Sequence, residues 1–188
     1  MNKQTRNNRN PLKHPDQRVG VFIDVQNLYY SAKNLYGKKV NFGEIVKEAV
    51  AGRKLIRAIA YVVRTETQEE TPFFEALFNL GIETREKDLK IYASGLKKAD
   101  WDVGLAVDAI RLAPSLDAVV IVSGDGDYVP LVEYLQKSSG KQVEVVAFGE
   151  TTSSWLVEEA DSVLDLSEHK EKFLLDDTKW RAARKHAT

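Results

Sequence analysis

Five consecutive apolar residues, Ala118-Val119-Val120-Ile121-Val122, constrain this chain more than any other segment. A strand with one wet face alternates apolar and polar side chains. An unbroken run of this length and β-branched content suits a strand buried on both faces. Such a strand belongs at the centre of a parallel sheet. Parallel strands need crossover connections, so helices must cover both faces.

The rest of the sequence supplies those elements. Val19 to Ile23 is a second short apolar run, predicted as a buried strand that ends abruptly at Asp24. A helix carrying Leu28, Tyr29, Ala32 and Leu35 follows and stops near Gly37, and another spans Phe42 to Val50. Leu55 to Val63 reads as a strand. Glu69 to Leu80 reads as a helix with Phe73, Phe74, Leu77 and Leu80 on one face, and Ile82 to Arg85 as a short strand. Residues 88–96 form a loop or short ribbon. Asp100 to Ala113 is a helix, apolar nearly all round and therefore expected to be substantially buried, with Asp100 as its N-cap. Tyr128 to Lys137 is helical, Val143 to Phe148 a strand, Ser153 to Glu159 a short helix and Val163 to Leu166 a last strand at an edge. Strands alternating with helices give an α/β three-layer sandwich with a mostly parallel central sheet flanked by helices. A chain of 188 residues accommodates one such domain. Its expected span is 18–167, between a flexible basic N-terminal arm at 1–17 and a charged C-terminal tail at 168–188 with room for one more helix.

The residues that are missing exclude much chemistry. There is no cysteine, hence no disulfide framework, thiolate zinc site or cysteine nucleophile. The three histidines, His14, His169 and His186, all fall toward the chain ends. A metal inside the domain must therefore be held by oxygen, which favours Mg²⁺ or Mn²⁺. No apolar run approaches a membrane span and no signal peptide opens the sequence, so a cytoplasmic protein without membrane association is expected. The net charge is −1, but the first 18 residues hold five basic side chains against Asp16 alone, and Lys179, Arg181, Arg184 and Lys185 close the chain. The middle is correspondingly acidic. Basic ends around an acidic core suit a metal site whose polyanionic substrate is gathered by the tails; short soluble tails are the plainer reading.

Ligands of open parallel sheets bind outside the carboxyl ends of the strands. Three segments place aspartate there. Asp24 follows a buried strand, where an isolated carboxylate is expensive and a cation would compensate it. Capping the next helix is its alternative task. Asn27, one turn on, can orient Asp24 or bind a phosphate. Ser123-Gly124-Asp125-Gly126-Asp127 follows the strongest strand. Its glycines allow a sharp turn and close approach to a ligand. Asp127 reads as the N-cap of the following helix, which leaves Asp125 without a visible structural task. In Lys97-Lys98-Ala99-Asp100-Trp101-Asp102, Asp102 lies in the first helical turn, where negative charge also suits the helix dipole. Asp108 interrupts the same helix six residues later, roughly 240° around it. It cannot share a metal squarely with Asp102 and is expected to be a buried, hydrogen-bonded support. Arg64, Arg85, Lys90, Lys97 and Lys98 fall near element ends and could line a phosphate channel, or be ordinary surface. Tyr29, Tyr92, Trp101 and Tyr128 could stack on bases there, although aromatics near helix starts more often pack on the core.

At these residues the sequence resembles the NYN domain family, within the PIN-like nuclease superfamily, and in particular its bacterial LabA-like group. The matching motifs are Phe-Ile-Asp-Val-Gln-Asn at 22–27, Lys-Lys-Ala-Asp-Trp-Asp-Val at 97–103 with Ala-Val-Asp-Ala at 106–109, and Ser-Gly-Asp-Gly-Asp-Tyr at 123–128. The resemblance spans roughly residues 18–167. It implies a PIN-like fold and an acidic site that binds Mg²⁺ or Mn²⁺ and cleaves RNA, with Asp24, Asp102, Asp125 and Asp127 as the catalytic and metal-binding set. Asn27, Ser123, Lys97 and Lys98 are the expected substrate-binding residues, and Asp108 the support. The resulting expectation is a metal-dependent ribonuclease acting endonucleolytically on single-stranded RNA, with a homodimer as an open option. The alternative is a regulatory module of the same fold that binds RNA or metal without cleaving. A haloacid-dehalogenase-like phosphatase would need two acids flanking one residue where this chain has Asp24-Val25-Gln26, and a Toprim-like enzyme would need Glu where Asp24 stands.

Overall fold

The computed structural model describes residues 12–64, 70–88, 90–91, 97–98 and 100–175. In chain order these form β1 (Arg18–Asp24), α1 (Val25–Tyr36), β2 (Lys39–Val40), α2 (Phe42–Val50), β3 (Lys54–Arg64), α3 (Glu70–Asn79), β4 (Glu83–Asp88), β5 (Lys90–Ile91), β6 (Lys97–Lys98), α4 (Asp102–Leu112), β7 (Ala118–Val122), α5 (Val129–Lys137), β8 (Gln142–Ala147), α6 (Ser154–Glu159), β9 (Ser162–Asp165), α7 (Lys170–Phe173) and β10 (Leu174–Leu175).

Six strands make one sheet in the order β4-β3-β1-β7-β8-β9, and every pairing in it is parallel. The unbroken apolar run at Ala118–Val122 is β7, and all five of its residues are buried, as its composition requires. The chain winds outward from β1 through β3 to β4, then returns to the other side of β1 and winds outward again from β7 to β9. The direction reverses between β1 and β7. In a doubly wound sheet the crevice for ligands opens at that switch, beyond the strands' carboxyl ends. Asp24 is the last residue of β1, and Ser123 directly follows β7.

Alternate residues of each strand divide between two cores. Val19, Val21 and Ile23 point toward α1, α2 and α3, packing with Leu28, Ile45, Ala49 and Leu77. Phe22, Ile59 and Ile121 point the other way, toward α4, α5 and α6, packing with Leu105, Leu131, Leu135 and Leu156. Gly37 (φ 62°) ends α1 in the left-handed region, which an L side chain adopts only under strain.

Two expectations change. α4 is not buried all round: Leu105 and Ala109 face the core, whereas Val103 is 74% exposed, with Val107 and Ile110 also on the surface. The packed unit also runs past residue 167. Phe173 is buried in the α1–α3 core, and Leu174–Leu175 pair antiparallel with Lys39–Val40. Leu174 is buried in the same core, and Lys172 pairs with Glu48. On the amino-terminal side, Lys13 lies 3.1 Å from Glu144, which also accepts from the buried Arg53 guanidinium. The rest of the two basic ends, 1–11 and 176–188, lies outside the described residues. Among the described residues no helix is long and apolar enough to cross a membrane.

Candidate functional site

Asp24 takes the capping task that the sequence offered it. It is the N-cap of α1, with Oδ1 accepting from the Asn27 amide at 3.1 Å. Its other oxygen accepts from Ser123 Oγ at 3.2 Å and from the Tyr128 hydroxyl at 3.4 Å. Burial raises the carboxyl pKa above its ordinary value, and the negative charges of Asp102 and Asp125 raise it further. The bonds from Asn27 and Ser123 oppose that shift without cancelling it.

The loop after β7 is built from short local bonds. Ser123 is fully buried; its Oγ donates to Asp24 and accepts from the Asp125 amide at 3.2 Å. Asn27 Oδ1 accepts from the Gly124 amide at 3.0 Å, which ties the start of α1 to this loop. Ser123 and Asn27 thus hold the loop in place, where the sequence suggested substrate contacts. Asp125, not Asp127, is the cap: its Oδ1 accepts from the Asp127 amide at 3.0 Å and opens a short 3₁₀ turn over Gly126–Tyr128 that precedes α5. Asp127 is left exposed in the first turn.

The two glycines of this loop serve the protein's own packing. A Cβ on Gly124 would come within 3.1 Å of the Thr152 Cα, and one on Gly126 within 2.8 Å of Ser153 Oγ. The segment after β8 closes on the loop there, with the Ser153 amide donating to the Gly124 carbonyl at 2.9 Å.

Asp102 is the first residue of α4, and Trp101 rather than Asp100 occupies the N-cap position, with no side-chain cap. The Trp101 indole donates to the Val62 carbonyl at 2.9 Å and packs on Tyr61, so it is committed to the fold. Gly104 makes room for that ring, since a Cβ there would fall 2.5 Å from it. Lys87 Nζ donates to the Asp100 carbonyl at 2.9 Å and pins the residues leading into α4.

These constraints bring oxygens of Asp102, Asp125 and Asp127 within 4.8 Å of one another, a grouping able to hold a metal ion. Asp24 lies outside that triplet and behind it. Tyr128 joins the two levels: its hydroxyl lies 3.1 Å from Asp102 Oδ1 and 3.4 Å from Asp24 Oδ2. One proton cannot serve both carboxylates at once, so the hydroxyl is shared between them. Burial and the adjacent charges of Asp24 and Asp102 hold the Tyr128 phenol far above its ordinary pKa, which keeps it a donor. The Asp102 carboxyl is also raised, first by burial and then by Asp125, Asp100 and Asp127, against the opposing bond from Tyr128. The sequence offered Tyr128 only for base stacking or core packing; its hydroxyl instead links Asp24 and Asp102.

Asp108 is apart from the triplet, as its helical angle requires. It accepts from the Tyr61 hydroxyl at 3.1 Å and lies 3.6 Å from Arg85 Nε, and it is only partly buried. Arg85 pairs with Asp108 and Arg64 with Glu86. Lys90, Lys97 and Lys98 lie on an antiparallel ribbon of β5 and β6, with Lys90 opposite Lys98; their side chains and all of Tyr92 lie outside the described residues.

The NYN domain profile matches residues 18–167, which covers every residue of the site. The chain belongs to the NYN domain family. It is 26% identical over 162 residues to the low amplitude and bright protein LabA of Synechococcus elongatus, covering 80% of this chain and 84% of that one. An uncharacterised protein of Methanocaldococcus jannaschii is 27% identical over 178 residues, 91% of this chain, which spans 63% of that longer relative. A crystal structure of a protein of unknown function from Vibrio parahaemolyticus superposes with a TM-score of 0.78 at 31% identity, covering 88% of this chain and all of the other. The NYN assignment implies a PIN-like nuclease fold, consistent with the parallel sheet and the acid cluster at its switch point.

Proposed function

We propose that this protein is a metal-dependent ribonuclease that hydrolyses phosphodiester bonds within single-stranded RNA. One observation carries the reading: three carboxylates from two distant segments converge within 4.8 Å at the carboxyl end of a parallel sheet, with a fourth buried behind them. Without a cation this concentration of like charge opposes folding. Asp102, Asp125 and Asp127 would hold Mg²⁺ or Mn²⁺, because hard cations take oxygen ligands and the described site offers no nitrogen or sulfur. Such an ion, when bound, makes a water nucleophilic and stabilises charge on the phosphoryl oxygens.

The protein's own groups set the geometry. Asp125 is fixed by its bond to the Asp127 amide, and Asp102 by the Tyr128 hydroxyl. Asp24 adds negative charge from behind and orients Ser123, which in turn holds the Asp125 amide. Asn27 ties the two strand ends together. Lys97 and Lys98, on the ribbon just before α4, are the proposed phosphate contacts, and Asp108 supports α4 through Tyr61.

The test is incubation of single-stranded and structured RNA and DNA with Mn²⁺, Mg²⁺ or chelator. Cleavage of single-stranded RNA that requires the metal and disappears in folded Asp24→Asn and Asp125→Asn is the expected result. Unchanged cleavage in both variants would remove the site. Salt-sensitive RNA binding without any cleavage would favour the regulatory reading.

A further inference from the structure

The outer face of α1 carries two adjacent exposed tyrosines. Tyr29 and Tyr30 are 42% and 54% exposed, and their rings meet edge to face at 5.4 Å. Lys33 Nζ lies 5.5 Å above the Tyr29 ring. Between Asp24 and Glu44 there is no acidic residue, although the chain contains 28. The same stretch carries Lys33, Lys38 and Lys39, and Lys33 and Lys38 are exposed. The helix begins at Asp24, and Asn27 joins its first turn to the β7 loop. Tyr29 and Tyr30 therefore stand roughly 8 to 9 Å along the helix axis from Asp24, the carboxylate that Tyr128 links to the triplet.

A basic residue in the last turn suits the helix dipole, which explains Lys33 but not two adjacent exposed rings. A second copy of the chain is a poor occupant. A stable protein interface buries about 800 Å² per partner around an apolar centre depleted in lysine, whereas this face mixes lysine with tyrosine. Aromatic rings beside cations are what an unpaired polynucleotide needs: faces for its bases and charge for its backbone.

We infer that the Tyr29–Tyr30–Lys33 face of α1 is a binding track for the single strand that enters or leaves the acidic site, with bases stacking on the tyrosines and a phosphate near Lys33. The inference rests on the ribonuclease reading for the choice of RNA as the polymer. It also accounts for selectivity: a duplex keeps its bases inside its own stack and cannot offer them to the rings.

Binding in chelator separates the track from cleavage. The probe is a fluorescein-labelled oligouridylate, followed by anisotropy with the full chain. Replacing either tyrosine by alanine is expected to weaken binding at least about five-fold, and Tyr29→Phe/Tyr30→Phe to restore it, because the ring faces remain. Lys33→Gln should reduce the slope of log affinity against log salt by about 0.7. A folded Tyr29→Ala/Tyr30→Ala protein that binds as tightly as the wild type overturns the inference, as does equal affinity for duplex RNA. A wild-type protein that binds no single strand overturns it too. So does a homodimer that the alanine pair dissolves while RNA binding is unchanged. If tyrosine-dependent binding is found but no metal yields cleavage, the track stands and the nuclease reading falls.

Discussion

Replacing Asp125 by asparagine should stabilise the metal-free protein while ending its activity. Oxygens of Asp125, Asp102 and Asp127 lie within 4.8 Å of each other. Two unit charges about 5 Å apart repel by about 1 kcal/mol in water and about 3 kcal/mol at an effective dielectric of about 20. Asp127 is exposed and Asp102 partly so, which places both pairs toward the lower figure. Asparagine removes both repulsions and keeps the side-chain oxygen that caps the Asp127 amide. The expected gain is about 2 kcal/mol, or about 4 to 8 °C in Tm for a chain of this size. The assay is thermal unfolding followed by circular dichroism at pH 7.5, in chelator and then across a Mn²⁺ titration. The wild type should gain about 2.7 kcal/mol once Mn²⁺ reaches about 100 times its Kd, and the variant much less, so their stability order reverses. If Asp125→Asn is less stable than the wild type in chelator, or equal to it, the carboxylates do not repel and the electrostatic case for a cation fails.

Other consequences follow from the same geometry. Asp24 and Asp102 have folded-state pKa values raised above their unfolded ones, so the folded state holds their protons more tightly. Their contribution is most favourable below about pH 4 and is lost as pH rises through the elevated folded values; unfolding in chelator should show that loss, and saturating Mn²⁺ should suppress it. Tyr128→Phe removes the donor that lowers the Asp102 pKa, a bond to a charged group worth about 1.5 to 3 kcal/mol. Its pH–rate profile should keep its shape but move its acidic limb to higher pH; an unmoved limb would show that the hydroxyl does not serve Asp102. Gly124→Ala drives a Cβ to within 3.1 Å of the Thr152 backbone and should cost about 1 to 3 kcal/mol, with a loss of cleavage larger than its loss of Tm implies. Full activity in that variant would mean the β7 loop does not position the acids.

The sheet was legible because its strands follow simple rules. An unbroken apolar run is a buried central strand, and β7 is one. Asp24 was legible because a charge at the end of such a strand is costly, and the structure finds it buried among donors. The exchange of roles between Asp125 and Asp127 was not, because the short 3₁₀ turn before α5 shifts the cap by two residues and leaves no mark in composition. The surface of α4 was misjudged because periodicity reports how apolar a helix is and not how many neighbours the topology provides. Val103, Val107 and Ile110 are apolar and exposed all the same. Gly124 and Gly126 signalled close approach correctly, but the approaching partner is the protein's own Thr151–Ser153 segment. The bridging role of Tyr128 was not legible, since it depends on α4 arriving beside it from another part of the sequence.

The most direct test of the acidic site is a crystal grown with Mn²⁺ and measured at a wavelength where manganese scatters anomalously. The account predicts an anomalous peak bounded by carboxylate oxygens of Asp102, Asp125 and Asp127, absent from crystals of Asp125→Asn. A manganese ion bound only elsewhere, or a triplet left empty at saturating Mn²⁺ while RNA is still cut, would contradict it.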